Sequence, residues 1–566
     1  MTDKPWFKNY ETGVPPKINI PEVSLFQFLS DAAAKYPDQA AIIFFGKVIT
    51  YRELEEMTDR LGNALQSMGV RPGDRVSLMF PNVPHCVIAY YAVLKIGAIA
   101  VNTNPLYVER ELEYQLVDSG SEVMIALDLF YPRINAVYSK TRLKAVILCK
   151  VTDFLPPLLK LLYPIKAWKE GQRVTVDWKP HIHDFMALLK SGSSRAIKTD
   201  VKPDDIALLQ YTGGTTGMAK GVMLTHRNLI TNTLQCRTWM PELQEGKETF
   251  LAAIPFFHVF GMTACMNLAV YLAGKMVMIP RFKTKDVLKN IQKYRATVFL
   301  GVQAMYVAVN HFPGVEKWDI SSVKVCISGG GPLHVEVQER FESLTGGKVV
   351  EGYGLTESSP VTHCNPINGL RKKGTIGLPL PLTDARVVDL ETGDKELALG
   401  EIGELVVSGP QVMKGYWNHP EETAQTIRNG WLHTGDMARM DDQGFFYIVD
   451  RKKDMIKSVG ENVYPREVEE VLFLHPKIKD AVVVGLPDQF SVEVIKAYLV
   501  LNEGETATEE EIITFCRQHL AKFKVPRFVE FRNDLPKTIV GKVLRRILLE
   551  EELQKAKKTE PGKGKV

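Results

Sequence analysis

The chain has 566 residues, 45% of them hydrophobic and 24% charged, and a formal net charge of +4. That length predicts about two to four domains. A charge so small on an ordinary globular composition excludes a dedicated nucleic-acid binder, which carries a concentrated basic face.

From the N-terminus, M-T-D-K-P-W-F-K-N-Y lacks the apolar core of a secretory signal, so none is expected. Asp74–Phe80 reads as a buried strand followed by a Pro-Asn-Val-Pro breaker. The longest apolar run, Cys86–Val101, is interrupted by Lys95 and Gly97 and falls short of the roughly 20 residues of a spanning helix. It reads as a core helix and then a strand. Val123–Leu127, Ala145–Cys149, Val277–Pro280, Ala296–Val302 and Val323–Gly331 read as further buried strands, with helical period between them, as in Asp286–Tyr294. Strands alternating with helices predict doubly wound parallel sheets with ligands at the strands' C-terminal ends.

Phe154–Arg173 stands apart, with leucines, Tyr163 and Trp168 interspersed with Lys160, Lys166, Lys169 and Arg173. That mixture suits a membrane interface or a surface excursion packed on its own domain, and its prolines argue against a continuous helix. From about residue 380 the texture turns β-rich. Asp450-Arg451-Lys452-Lys453-Asp454 is five consecutive charges, which predicts a solvated boundary. A fresh α+β pattern follows, with helices Arg466–His475 and Glu509–Leu520 and a last one from Val543. The C-terminal stretch is lysine-rich, reads as a disordered tail and carries no Ser-Lys-Leu address. Seven scattered cysteines form no CxxC pair and no metal-ligand spacing, which predicts reduced thiols in a cytoplasmic protein.

Tyr211–Gly221 (Y-T-G-G-T-T-G-M-A-K-G) has the glycine and threonine density of a phosphate-binding loop. A Walker A loop is excluded on two grounds. The register G-x-x-x-x-G-K-[ST] puts Ala219 and Gly221 where a glycine and the magnesium-ligating hydroxyl are required, and V-M-L-T continues as a strand where a helix should open. The reading is a hairpin loop offering Thr212, Thr215 and Thr216 hydroxyls and the Lys220 charge. Further along, S-G-G-G-P-L (328–333) exposes backbone to a planar base. E-G-Y-G-L-T-E-S (351–358) supplies Tyr353, the Thr356 hydroxyl and the Glu357 carboxylate, a hard ligand suited to Mg²⁺. Asp436 can accept from two ribose hydroxyls, Arg451 can bridge ribose and phosphate, and Lys542 sits on a glycine turn.

In this order these stretches resemble the adenylate-forming superfamily of acyl-CoA synthetases, luciferases and nonribosomal-peptide adenylation domains, and most of all its bacterial-type long-chain fatty acid–CoA ligases. The resemblance runs from I-T-Y-R-E-L (49–54) to Lys542. It implies a large N-terminal domain (1–449) of two doubly wound α/β subdomains plus a β subdomain, and a hinge at 450–454 including Asp450 and Lys453. A small mobile α+β domain (455–550) and the basic tail (551–566) complete it. It also implies the substrates ATP, CoA and a fatty acid, with Mg²⁺ as cofactor. No nucleic acid is expected, and a homodimer and peripheral membrane contact through 154–173 are compatible with it.

The implied chemistry is attack of a carboxylate on the α-phosphorus of ATP, giving acyl-AMP and pyrophosphate, then attack of the CoA thiol on the acyl carbon, displacing AMP. Thr212, Gly213, Gly214, Thr215, Thr216, Gly217 and Lys220 would close over the β- and γ-phosphates. Glu357, beside Thr356, would hold Mg²⁺. Tyr353, Gly354 and Gly329, Gly330 and Gly331 would border adenine, and Asp436 and Arg451 would fix the ribose. Lys542 would reach the substrate carboxylate and α-phosphate. After rotation of the small domain, Lys457, Ser458, Gly460 and Glu461 would line a pantetheine tunnel. Phe257, His258, Val259 and Gly261 resemble the element between adenylate and acyl pocket, with Val302 and Gln303 beside it. An aryl- or medium-chain acid–CoA ligase and a stand-alone enzyme loading a carrier protein remain the alternatives. A nucleotide-binding regulator is disfavoured, because Lys542, Glu357 and Arg451 are all present.

Overall fold

The computed structural model describes residues 4–169, 171, 173–212, 219–458, 461–488, 492–537 and 543–559. Its fold is mixed α/β, and its contacts divide the chain into two units. Unit 1 comprises Met1–Asp384 with Val407–Leu432, and unit 2 Ala385–Val406 with His433–Val566. The expected hinge, Asp450–Asp454, therefore lies inside unit 2.

Unit 1 contains two large sheets. One runs Gly415–Tyr416, Lys220–Thr225, Ile206–Thr212, Ile99–Thr103, Arg75–Met79, Val123–Leu127, Ala145–Cys149, Ile182–Asp184. Its members from Ile206–Thr212 onward pair in parallel, and the two strands before them are antiparallel. The other has nine strands, parallel from Ala40–Phe44 through Lys348–Gly354, with antiparallel strands at both ends. Runs such as Val-Met-Ile-Ala-Leu at 123–127 are buried along their whole length, as parallel strands covered on both faces must be.

The run Cys86–Val101 resolves into the helix Pro84–Lys95, every residue of which is buried, and the strand Ile99–Thr103. Lys95 can be buried at the helix end because its Nζ lies 2.5 Å from Glu55 Oε1 and 2.8 Å from Asp59 Oδ1. Both carboxylates belong to the helix Tyr51–Ser67, one turn apart. A single buried ammonium would be prohibitive, whereas one flanked by two carboxylates is not. All seven cysteines are free and buried, and burial pushes the thiols of Cys86, Cys236 and Cys265 up to about 12, so they stay protonated.

In unit 2 the strand Trp431–Met440, which begins at the unit boundary, pairs antiparallel with Phe446–Arg451. Beyond them, Ile456–Ser458, Glu461–Val463, Ile478–Asp488, Val492–Leu501 and Phe528–Phe531 form a sheet whose core includes Val468, Leu472, Ile495, Leu499 and Ile512.

Three sequence expectations change. The five-charge run is not uniformly solvated: Asp450 is only 4% exposed, because its Oδ2 accepts the Arg466 backbone N–H at 2.8 Å and its Oδ1 the Arg451 N–H at 2.7 Å. The prolines of 154–173 do not prevent a continuous helix, since Pro157–Lys169 is helical with Pro164 inside it. Proline removes one backbone bond without dissolving the rest of the ladder. Finally, the helix Arg545–Thr559 extends through the first nine residues of the stretch read as a disordered tail, 551–559.

Candidate active site

In unit 1 the strands Ile206–Thr212 and Lys220–Thr225 form a hairpin with Thr212 opposite Lys220. Gly213, Gly214, Thr215, Thr216 and Gly217, which join the strands, lie outside the described residues. The second strand ends at Thr225, whose side chain accepts the Asn228 N–H and caps the helix His226–Trp239. A strand thus separates loop from helix, the arrangement that distinguishes this loop from a P-loop.

Lys220 opens the second strand, its Nζ 5.4 Å above the Tyr416 ring and 3.4 Å from Glu422 Oε1. Tyr416 arrives from the short edge strand Gly415–Tyr416, which adds antiparallel to Lys220–Thr225 with Tyr416 opposite Val222. On its other side, the Tyr416 hydroxyl donates to Glu357 Oε1 at 2.8 Å. Burial first, and the Glu357 charge after it, push the Tyr416 hydroxyl far above its ordinary range, so it remains a donor. Glu357 itself lies in the short turn Thr356–Ser358, and its carbonyl accepts the Met413 N–H at 2.8 Å. The loop lysine and the magnesium-suited carboxylate therefore share one tyrosine, which the sequence reading missed. The signal available was Gly415-Tyr416-Trp417, an aromatic pair after a glycine.

Tyr353 lies near the end of the strand Lys348–Gly354, opposite His363, with ring centroids 6.0 Å apart. Gly354 is required there, because a Cβ would lie 2.0 Å from the Pro360 carbonyl oxygen. Burial lowers the His363 imidazole to about 3 and keeps it neutral behind Tyr353.

The segment around His258 is held by side chains from other elements. Asn82 Nδ2 donates to the carbonyls of Ala252 at 2.9 Å and Ile254 at 2.8 Å, and its Oδ1 accepts the Phe256 N–H at 2.8 Å. Gln210, on the first strand of the loop hairpin, donates to the Phe257 carbonyl at 2.9 Å and accepts from Asn102 at 3.0 Å. Sequence reasoning also missed Asn82 and Gln210; no local motif marks them. Phe257 and His258 are half-buried and Val259 is buried. His258 Nδ1 accepts the Phe260 N–H at 3.3 Å, which places a neutral ring's proton on Nε2. Gly261 opens a π-helix, Gly261–Asn267, and its missing Cβ would sit 2.2 Å from the Pro255 carbonyl oxygen.

Gly329, Gly330 and Gly331 follow the strand Val325–Ser328. A Cβ on Gly329 would lie 2.9 Å from the Phe260 ring, and one on Gly330 would lie 3.6 Å from Val302 Cγ1. The glycine run, the His258 segment and Val302 are thus neighbours. Val302 is buried at the start of the helix Gln303–Asn310, and Gln303 Oε1 accepts the His334 N–H at 2.8 Å.

The remaining candidates belong to unit 2. Asp436 and Arg451 face each other across the Trp431–Met440/Phe446–Arg451 ladder, with Arg451 Nε 3.2 Å from Asp436 Oδ1. Lys453 is exposed. Lys457 is exposed and its N–H donates to Glu493 at 2.7 Å; Ser458, opposite exposed Glu461, is buried. Gly460 and Lys542 lie outside the described residues.

Among the described residues no group of three or more His, Cys, Asp or Glu is arranged to hold a metal. Glu357 with the neighbouring Thr356 hydroxyl is an all-oxygen donor set, which fits Mg²⁺ held by a single protein carboxylate together with substrate phosphates.

Residues 29–417 match the AMP-binding enzyme family, and residues 467–542 match the AMP-binding enzyme C-terminal domain. A long-chain-fatty-acid–CoA ligase of Bacillus subtilis (strain 168) is 48% identical over 557 residues, 98% of this chain and 99% of the relative. One from Yersinia pestis is 41% identical over 558 residues, with the same coverage. The crystal structure of ATP-bound MatB from Rhodopseudomonas palustris superposes with a TM-score of 0.83 at 30% identity, covering 94% of this chain and 99% of that one. On a family match spanning most of its length and relatives that align end to end, the chain belongs to the AMP-binding enzymes.

Proposed function

We propose that this chain is an AMP-forming long-chain fatty acid–CoA ligase, an acid–thiol ligase acting in two steps. In the first, a carboxylate oxygen of the fatty acid attacks the α-phosphorus of ATP and the bond to the β-phosphate's bridging oxygen breaks, giving acyl-AMP and pyrophosphate. In the second, the CoA sulfur attacks the acyl carbon and AMP leaves with the bonding pair, while the thiol proton passes to solvent. The observation that supports the reading best is the convergence of Lys220 and Glu357 on Tyr416. It sets a cation for a polyphosphate and a carboxylate for its metal on one rigid support, as a reaction governed by positioning and charge neutralisation requires.

In this reading Lys220 and the Gly213–Gly217 loop bind the β- and γ-phosphates. Glu357 would hold Mg²⁺, which when bound withdraws charge from the phosphate oxygens, and neutral Tyr416 keeps that carboxylate oriented. Tyr353 borders adenine, Asp436 and Arg451 bind the ribose, and the Phe257–Gly261 segment with Val302 and Gln303 borders the acyl chain. Lys542 neutralises the anionic transition state of the first step, and Lys457–Glu461 serve the second.

The test is thioester, AMP and pyrophosphate formation from ATP, CoA and straight-chain acids from C2 to C18. AMP and pyrophosphate in equal amounts, with preference for the long acids, are expected. Preference for coumarate over palmitate would assign the aryl-acid alternative instead.

A further inference from the structure

The helix Pro157–Lys169 presents its apolar side outward. Leu158, Leu161, Ile165 and Trp168 are 68%, 75%, 57% and 68% exposed, and Ala167 on the opposite side is 7% exposed. With Leu162, also exposed, these residues fall at i, i+3, i+4, i+7 and i+10 and form one stripe. A helix packed on its own domain turns such a stripe inward, so a large outward one needs an occupant. Lys160 and Lys169 are exposed on the same helix, and no acidic residue occurs from Phe154 through Lys169. Among the described residues no helix is long and apolar enough to cross a membrane. An apolar stripe bearing a terminal tryptophan, with Lys169 at its C-terminal end, Lys160 exposed on the far side of the helix and no carboxylate from Phe154 through Lys169, is complementary to a bilayer surface rich in anionic headgroups.

We infer that the helix Pro157–Lys169 is an interfacial anchor that seats this protein on anionic lipid bilayers, Leu158, Leu161, Leu162, Ile165 and Trp168 entering the headgroup–acyl boundary. Its use rests on the proposed function, because long-chain fatty acids partition into that same boundary. The binding itself does not depend on that reading.

The experiment is co-sedimentation of the full chain with vesicles of equimolar phosphatidylglycerol and phosphatidylcholine, and with phosphatidylcholine alone. The wild type is expected to bind the anionic vesicles at least tenfold more strongly than the zwitterionic ones. Leu161→Ser/Ile165→Ser/Trp168→Ser should lower binding to the anionic vesicles at least tenfold. Lys160→Glu/Lys169→Glu, which leaves the apolar stripe intact, should also weaken it at least tenfold, while thioester formation from soluble octanoate stays at the wild-type rate in both variants. Wild-type partitioning by the triple variant, or equal binding to both vesicle types, would overturn the inference. So would a wild-type dimer that ignores vesicles and turns monomeric in the triple variant, which would make the stripe an interface between copies. If no acid at all is converted but the wild type sediments as expected, the functional reading fails and the anchor stands.

Discussion

Lys220, Glu357 and Tyr416 of unit 1 come from three separate stretches, the tyrosine that orients the carboxylate lying 59 positions after it. Asp436 and Arg451 of unit 2 face each other across one hairpin and already form an ion pair. In the first case orientation passes through a neutral hydroxyl, whereas in the second two opposite charges hold one another. A chain of contacts through one side chain fails when that side chain is changed. A ladder pair is fixed by backbone register and tolerates more.

The largest effect that tests this contrast is expected from Lys542→Ala. In the proposed mechanism it lowers acyl-adenylate formation by about 10³, or roughly 4 kcal/mol of transition-state stabilisation, and leaves thioester formation from supplied acyl-AMP intact. Equal losses in both half-reactions, measured separately, would erase the proposed division of labour between Lys542 and Lys457–Glu461. Glu357→Gln should cost on the order of 10² in pyrophosphate exchange and shift the magnesium dependence to higher concentration; an unchanged magnesium titration would remove Glu357 from the metal. Tyr416→Phe keeps the ring under Lys220 but deletes the donor to Glu357, so a loss of about tenfold, roughly 1–1.5 kcal/mol, is expected in the same exchange assay. A larger loss in Asp436→Asn than in Tyr416→Phe would reverse the comparison.

The smallest effects concern Asp450. Its alanine variant should destabilise the start of the helix Pro465–Phe473 by about 1 kcal/mol, the usual cost of a lost cap, seen as faster amide exchange at Arg466. Burial, the first cause, raises the Asp450 carboxyl above its ordinary range, against the opposing Arg466 N–H. A raised folded-state value means that the buried charge costs stability above it. The cost is relieved as pH falls through it, because the native state takes up a proton the unfolded state still lacks. Asp450→Asn should therefore keep the cap and flatten this acid-side gain, measured as Arg466 protection between neutral and mildly acidic pH.

Much of this molecule is legible where periodicity and turn chemistry are local. Val123–Leu127 and Ala145–Cys149 have the bounds their apolar runs imply, and the hairpin around Tyr211–Gly221 follows from the strand after the loop. What escapes is contact between distant stretches. Nothing near Asn82 or Gln210 announces that their amides clamp the backbone before His258, and nothing near Tyr416 announces Glu357. Asp450 misleads for a related reason: a charge run predicts solvation, but one member finds two backbone donors and is buried. The helix Pro157–Lys169 misleads in the opposite sense, because its prolines fall at its first residue and at one interior position that the ladder bridges.

The rung that pairs Thr212 with Lys220 closes the seven residues between them into a ring whose two ends cannot separate while the ladder holds. Closure entropy rises only with the logarithm of length, about 0.6 kcal/mol for each doubling. The length of this stretch is therefore almost uncoupled from the stability of the fold. In the proposed mechanism this stretch covers the departing pyrophosphate, so insertions between Thr212 and Lys220 are expected to change turnover before they change the melting temperature.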